Sequence, residues 1–413
     1  DASITNYTSF FKQFNKNIPA TLLLLTDKKL FEKTAPSLHN ISTLIWGQSD
    51  RSEVKEIIGK ALIGKATLTG KLPFTIDSGF VAGQGVNLKT NKPYEALPKE
   101  LGFDEKILSK IDSIVLDAIK DGAFPGCQIL VLKEGIKIYD KNFGTETGAG
   151  SNKITSNSLF DIASLTKTSA TLLAMMKLYD KGLYNLTDKI SQFLPYLKGT
   201  NKENITIREL LLHESGLIAG LPIYLEVVDQ DSYPGRLLSV NRSARHTIQL
   251  GSKLWGNPNF KFKKEWISNK REDPYLWTLG NRLWLNYGSK QLVLDKIIES
   301  PLRSKSYRYS CLGFILLHQM VEELVHMPMD QFLNQEFYHP MGLEHIAYQP
   351  LKYFSKDEIT PSNNDRFLRK TELRGEVHDE LAAFMGGVSG NAGLFSNADN
   401  IASIHQMILN KGE

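Results

Sequence analysis

"FDIASLTKTSATLLAMMKLYDKG", residues 160–182, decides how the rest of the chain is read. It sets Ser164 and Lys167 three positions apart, where a polar stretch passes into an apolar one. The spacing alone is weak. Given 31 serines in 413 residues, chance supplies about three Ser-x-x-Lys matches. Three occur: Ser9/Lys12, Ser52/Lys55 and Ser164/Lys167. Context separates them. Ser9/Lys12 precedes any strand pattern and falls on an amphipathic stretch expected at the surface. Ser52 opens "SEVKEIIGKALIG", where it suits a helix N-cap. Ser164 is followed by Thr166, Lys167, Thr168 and Ser169, then by Leu172, Leu173, Ala174, Met175, Met176 and Leu178 on nearly every face. A helix apolar all round is a core helix, so its start is expected to face a cleft in the protein interior. One helical turn brings the Ser164 hydroxyl to the Lys167 amine. Burial favours the neutral amine, which is a base. Free N–H groups at the helix start suit a developing oxyanion.

Composition limits the alternatives. The chain has 413 residues, enough for two domains or for one large domain with an attachment. With 41% hydrophobic, 23% charged and 10% aromatic residues it reads as globular. A net charge of +4 without a run of like charges gives no nucleic-acid surface. Cys127 and Cys311 sit in apolar surroundings and read as two buried free thiols. No stretch of eighteen apolar residues predicts a transmembrane segment. The opening "DASITNYTSFF" lacks the pattern of a signal peptide, which leaves export of a processed chain open.

Along the chain, "ATLLLLTD", "LFEKTAPSL", "STLIWGQS" and "SEVKEIIGKALIG" alternate short apolar runs with amphipathic stretches, predicting a parallel sheet with helices. "ATLTGKLPFTI" closes this part, and here the chain resembles the end of the C-terminal α/β domain of family 3 glycoside hydrolases, over roughly residues 18–95. The barrel carrying that family's sugar-cleaving nucleophile would lie upstream, so this part is expected to be structural. Residues 82–101 read as a linker. A helix is expected at 104–121, then two strands in "GCQILVLKEGIKIYDKNFG" turning at Glu134-Gly135. Residues 160–217 are expected to be mainly helical, and helices resume near 310–326 and 329–336. Residues 218–300 hold four of the five tryptophans and read as an irregular insertion.

"SLFDIASLTKTSATLLAMMKLYDKGLYNLTDKISQFLP", followed by "ITIRELLLHESGL", resembles the penicillin-recognising serine hydrolases. Within them it is similar to the group holding class C β-lactamases, D-alanyl carboxypeptidases and related esterases. "YRYSCLGFILLHQMVEEL" matches the second motif, and "GEVHDELAAFMGGVSGNAGLFSNADNIASIHQMILNKG" matches a glycine-rich turn and helix. The resemblance runs in order over about residues 104–412. It implies Ser164 as nucleophile, Lys167 as activating lysine and Tyr309 as proton relay. It also implies an α+β domain over 102–413, an antiparallel sheet flanked by helices with a helical subdomain. Together with an N-terminal α/β (parallel-sheet) fragment over 1–81, this is the expected fold class.

Two departures stand out. Cys311 holds the place of an amide or acid that binds substrate; a thiol donates and accepts hydrogen bonds only weakly, so it is at best a minor substrate contact. The third motif, Lys/His-Thr/Ser-Gly, is not found; Asn391-Ala392-Gly393 matches the earlier glycine turn. The expectation is therefore a fragment lacking its C-terminal strands, with those strands and an upstream glycosidase barrel in a longer parent chain. The parent is expected to be active and the fragment inactive.

Other motifs carry less. No Gly-x-Ser-x-Gly elbow occurs. His213 reads as structural, and His378-Asp379-Glu380 resembles a metal cluster only in composition. Trp255, Trp266, Trp277 and Trp284 read as insertion packing, with the lining of a ligand cleft as the alternative. No cofactor, metal or nucleic-acid partner is implied. The expected activity is acyl transfer to water from a D-alanyl peptide, β-lactam or ester. By the same resemblance the substrate derives from peptidoglycan and the location is the bacterial cell envelope, periplasmic or outer-membrane associated. The competing reading is a degenerate binding or scaffold module that keeps a residual pocket.

Overall fold

The computed structural model describes residues 21–62, 68–86, 98–148 and 150–412. The Ser9/Lys12 match and most of the expected linker lie outside these residues. Packing divides the chain into two units, residues 1–105 with 131–139, and residues 106–130 with 140–413.

In the first unit β1 (Thr21–Leu25) and β2 (Thr43–Gly47) pair in parallel, Thr21 opposite Thr43 and Leu25 opposite Gly47. Between them runs α1 (Lys28–Thr34), started by Asp27, whose carboxylate accepts the Leu30 N–H at 2.9 Å. Phe31 is buried with its ring centroid 4.7 Å from that of Trp46. α2 (Ser52–Leu62) follows, with Ile58 buried. Ser52 is the first helical residue, not the cap expected of it, and its hydroxyl donates to the adjacent Glu53 carboxylate at 3.3 Å. The neighbouring charge takes the hydroxyl that a cap would direct at the backbone.

The helix expected at 104–121 breaks at Ser109, whose hydroxyl donates to the Lys106 carbonyl at 2.9 Å. Such side-chain bonding competes with helix continuity. The chain resumes as α3 (Lys110–Lys120). β3 (Gly126–Lys133) and β4 (Ile136–Gly144) form the expected hairpin. Glu134 and Gly135 have φ of 54° and 76°, the left-handed pair that a two-residue turn between twisted strands requires.

The second unit sets a small antiparallel sheet beside a helical core. β5 (Phe160–Asp161) and β6 (Ile346–Tyr348) flank β7 (Leu394–Ser396), Phe395 opposite Asp161 and Ala347. The core helices are α4 (Leu172–Asp180), α5 (Ile207–Leu211), α6 (Ser289–Glu299) and α7 (Cys311–Val325). Leu173 and Met175 of α4 and Leu312, Ile315 and Leu316 of α7 are fully buried. Each such side chain contributes about 1.5–3 kcal/mol on leaving water. α4 is less enclosed than its sequence implies, because Met176 and Tyr179 are exposed. α8 (Met329–Leu333), α9 (Glu380–Phe384) and α10 (Ala398–Leu409) belong to the same unit.

The insertion is not irregular. Residues 238–239, 248–251 and 254–256 form one three-stranded antiparallel sheet, and residues 267–268, 275–280 and 283–286 form another. Strands of two to six residues are too short for an alternating pattern to stand out, and bulges interrupt the longest pair.

Gly390 lies where the chain crosses between α4 and α7. A Cβ there would come 2.1 Å from the Phe314 carbonyl oxygen and 2.9 Å from His318 Cβ. Backbone cannot yield as a flexible side chain does. Gly390→Ala is therefore expected to lower unfolding free energy by at least about 2 kcal/mol, read as a shift in the denaturant midpoint.

Candidate active site

Ser164 stands in a tight single turn, Ala163–Leu165, at the end of β5. Ala163 is left-handed at φ 44°, a conformation a non-glycine residue holds only when its surroundings impose it. Asp161 imposes it. Its carboxylate accepts the Ala163 N–H at 2.9 Å through one oxygen and the His378 N–H at 2.8 Å through the other. Burial pushes the Asp161 carboxyl above its ordinary range, opposed by these two bonds.

The α-helix expected from Ser164 onward has three parts. The tight turn is followed by a wide turn over Lys167–Thr171, where the Leu172 N–H bonds the Lys167 carbonyl, and only then by α4. Residues three apart eclipse in a tight turn, and wide turns recur at functional sites. The tight turn also occupies helix-start donors that were expected for an oxyanion. The Leu165 N–H bonds the Ile162 carbonyl at 3.0 Å, and the Thr166 N–H bonds Ala163.

The Lys167 side chain is buried at 4% exposure while Ser164 is exposed. Lys167 Nζ lies 3.1 Å from Ser164 Oγ, 2.9 Å from the Asn391 carbonyl oxygen and 3.7 Å from Cys311 Sγ. The Tyr309 hydroxyl donates to Ser164 Oγ at 2.6 Å, and its ring centroid is 4.9 Å from Lys167 Nζ. Ser164 Oγ thus sits between an amine and a phenol, both within proton-transfer reach. The structure brings together all four residues singled out in the sequence: Ser164, Lys167, Tyr309 and Cys311.

Local sequence explains the placement of Tyr309 and Cys311. Ser310, itself extended, caps α7, its hydroxyl accepting the Leu312 N–H at 3.2 Å, so Tyr309 precedes the cap and Cys311 is the first helical residue. His213 Nδ1 accepts the Ser310 N–H at 3.2 Å, and its ring lies 4.6 Å from Tyr309 and 5.2 Å from Phe314, centroid to centroid. His213 is therefore a buttress for Tyr309. Burial, aided by nearby Lys167, lowers its pKa. Burial raises the Cys311 thiol pKa, with Lys167 opposing, so the group stays a thiol. Both cysteines are free and half-buried.

Three contributors were missed in the sequence: Asp161, Asp379 and Asn391. Asn391 is fully buried; its amide donates to Asp379 Oδ1 at 2.9 Å and accepts from the Ser389 hydroxyl at 2.7 Å. The same Asp379 oxygen caps α9 through the Ala382 N–H at 2.8 Å. Asp379 fixes the loop whose carbonyl receives Lys167. The His378-Asp379-Glu380 run carried this signal, but as a cap, not a metal set. Among the described residues no group of three His, Cys, Asp or Glu side chains could hold a metal ion. No helix among them is long and apolar enough to cross a membrane.

Beside Asp379, burial raises the Glu380 carboxyl to about 7, against the pull of Arg369. A carboxyl raised on folding stays protonated in the native state while the unfolded chain ionises. Stability therefore falls as pH rises from the ordinary carboxylate range towards about 7, then levels. Glu380→Gln should raise Tm at pH 8 and leave it near wild type at pH 4. Equal shifts at both values would contradict this assignment.

The chain has relatives in sequence and in fold. The model described as Beta-lactamase matches residues 111–413, and the chain belongs to that family. The chain is 30% identical over 335 residues to the "N-acetylmuramyl-L-alanine amidase" of Bacillus subtilis (strain 168), covering 75% of this chain and 64% of the relative. It is 28% identical over 345 residues to the "Putative D-alanyl-D-alanine carboxypeptidase" of Salmonella agona (strain SL483), covering 77% of this chain and 67% of the relative. The chain thus spans about two thirds of the length of these curated relatives. In fold it is similar to the octameric penicillin-binding protein homologue from Pyrococcus abyssi. That likeness has a TM-score of 0.50 at 17% identity, over 74% of this chain and 57% of that one.

Proposed function

We propose that this chain carries a working acyl-transfer hydrolase site, in place of the inactivity expected from its missing third motif, with Ser164 as nucleophile, Lys167 as its base and Tyr309 as the proton relay. The observation that carries the reading is the placement of Ser164 Oγ, 3.1 Å from Lys167 Nζ and 2.6 Å from Tyr309 Oη. Ser164 Oγ attacks the substrate carbonyl carbon and its proton passes to the Lys167 amine. The C–N or C–O bond breaks, and the leaving group takes a proton through Tyr309. Water then attacks the ester at Ser164, releasing the acid and restoring the hydroxyl. Cys311 contacts Lys167 and lies at the edge of the substrate position.

The substrate proposed is a peptidoglycan fragment with a D-alanyl peptide or N-acetylmuramyl-L-alanine amide, and the location the bacterial cell envelope. The names of the two curated relatives support this. β-Lactams and small esters are the simpler acyl donors for the same site. We assign residues 1–81 to the end of a family 3 glycoside hydrolase α/β domain, 82–101 to a linker and 102–413 to the hydrolase domain. Incubation with N-acetylmuramyl-L-alanyl-D-isoglutamine and with a D-alanyl-D-alanine peptide tests the substrate. Release of the muramyl acid or of D-alanine supports the reading, and cleavage of neither rejects the peptidoglycan assignment.

One observation favours the second reading, a binding module. Cys311 places a weak hydrogen-bonding thiol 3.7 Å from the lysine where the resemblance calls for an amide or acid. A chain that binds these ligands with no acyl-enzyme at Ser164 would satisfy that reading instead.

A further inference from the structure

The insertion carries a charge that the whole-chain value conceals. Residues 233–264 contain seven lysines and arginines and no aspartate or glutamate, in a chain of net charge +4. The rest of the chain is therefore net negative, and the positive excess is gathered in this one stretch. None of the seven forms an ion pair among the described residues. Arg236, Arg242, Arg245, Lys253, Lys261 and Lys264 are exposed.

Folding draws four of them together. Residues 238–239, 254–256 and 248–251 lie side by side in that order as one antiparallel sheet. Arg236 precedes the first strand, Arg242 and Arg245 lie in the loop after it, and Lys253 is at the hairpin turn. The Arg242 guanidinium sits 5.7 Å from the Trp255 ring centroid. His246 Nε2 donates to the Arg236 carbonyl at 2.8 Å, and a Cβ on Gly235 would come 3.9 Å from Arg245 Nη1. The loop thus folds back on the segment that carries Arg236. Neighbouring strands lie about 4.8 Å apart, so the sheet is about 10 Å wide, close to the Debye length at physiological salt. At that spacing the four charges act together on a partner. Apolar side chains stand among them. Val240 is 68% exposed, and Leu250 and Leu254, on either side of the hairpin turn, are 37% exposed each.

We propose that this sheet and its loops dock on an anionic lipid surface. The cations meet the headgroups, and Val240, Leu250 and Leu254 enter the boundary between headgroups and acyl chains. Interfacial binding grows with both the buried apolar area and the attraction to anionic lipid. A soluble polyanion, nucleic acid included, engages charge alone and leaves the three aliphatic side chains in water. A second copy of the chain would set the same positive charge against itself in an isologous contact. The inference is independent of the chemistry at Ser164.

The test is co-sedimentation of the full chain with vesicles of phosphatidylglycerol and phosphatidylcholine, beside vesicles of phosphatidylcholine alone. Binding is expected to be at least tenfold tighter to the anionic vesicles, and to weaken at least tenfold in about 1 M salt, where the Debye length is about 3 Å. Each basic residue near such a surface contributes about fivefold. Arg242→Gln, Arg245→Gln and Lys253→Gln combined should therefore weaken binding at least about twentyfold, and Lys253→Glu alone at least about tenfold. Val240→Ser with Leu254→Ser leaves the charge unchanged and is expected to weaken binding at least threefold. All these positions are exposed, and a melt of each variant checks its fold. No preference for anionic vesicles, or vesicle binding unchanged by the triple substitution and by Lys253→Glu, overturns the proposal. Double-stranded DNA serves as the soluble competitor. DNA binding tighter than vesicle binding, with no loss in the Val240→Ser, Leu254→Ser variant, also overturns it and assigns the patch to a soluble polyanion.

Discussion

Replacing Ser164 by alanine is expected to reduce turnover by at least about 10³-fold while leaving the fold intact. The hydroxyl is exposed and forms the point where Lys167 and Tyr309 meet. Its removal deletes the bond-forming atom but no packing, so the stability change should stay within about 0.5 kcal/mol. Initial rates and a thermal melt on the same preparation check both halves. A variant that keeps a tenth of the activity would place the nucleophile elsewhere.

The second large effect is expected at Lys167. Lys167→Met preserves much of the side-chain volume but removes the amine, and activity should fall on the order of 10²–10⁴-fold. Unlike Ser164, this position is buried, and the Asn391 carbonyl would lose its donor. That loss costs about 1–3 kcal/mol, so activity and stability should drop together. Lys167→Arg separates charge from basicity. A guanidinium keeps the charge but does not give up its proton at accessible pH, so it should restore stability in part and activity hardly at all. Rates for both variants across pH 5–10, beside melts, distinguish a proton acceptor from a fixed cation. Substantial activity in Lys167→Arg would contradict the role of base.

Ser164 and Lys167 were legible from a local signal, three apart before an apolar helix, whereas Tyr309 and Cys311, which flank a capping serine, stood out only through the family resemblance. What could not be read is the part assembled through distance in sequence. Asp161 reaches His378, and Asp379 reaches Asn391, whose carbonyl lies 224 residues from Lys167. Such bonds leave no periodic trace. Backbone detail was also hidden: the tight turn is held by a local Asp161–Ala163 bond that no apolar pattern signals, and the wide turn is tied to the glycine-rich loop through Lys167 and Thr171. In the fold, the parallel β1–β2 pair and the Glu134-Gly135 turn were plain from apolar runs and turn chemistry. The strands of the insertion were not, since pieces of two to six residues carry too few alternations. Of the tryptophans, Trp266 and Trp277 pack against the core as expected, and Trp277 and Trp284 also line a cavity.

The most direct measurement is intact-mass spectrometry of the wild-type chain after reaction with a fluorophosphonate or a penicillin, followed by peptide mapping. The account predicts a single adduct on the peptide containing Ser164, absent from Ser164→Ala and slowed by Lys167→Met. An unmodified chain, or an adduct mapping to Cys311 or any other residue, would contradict it.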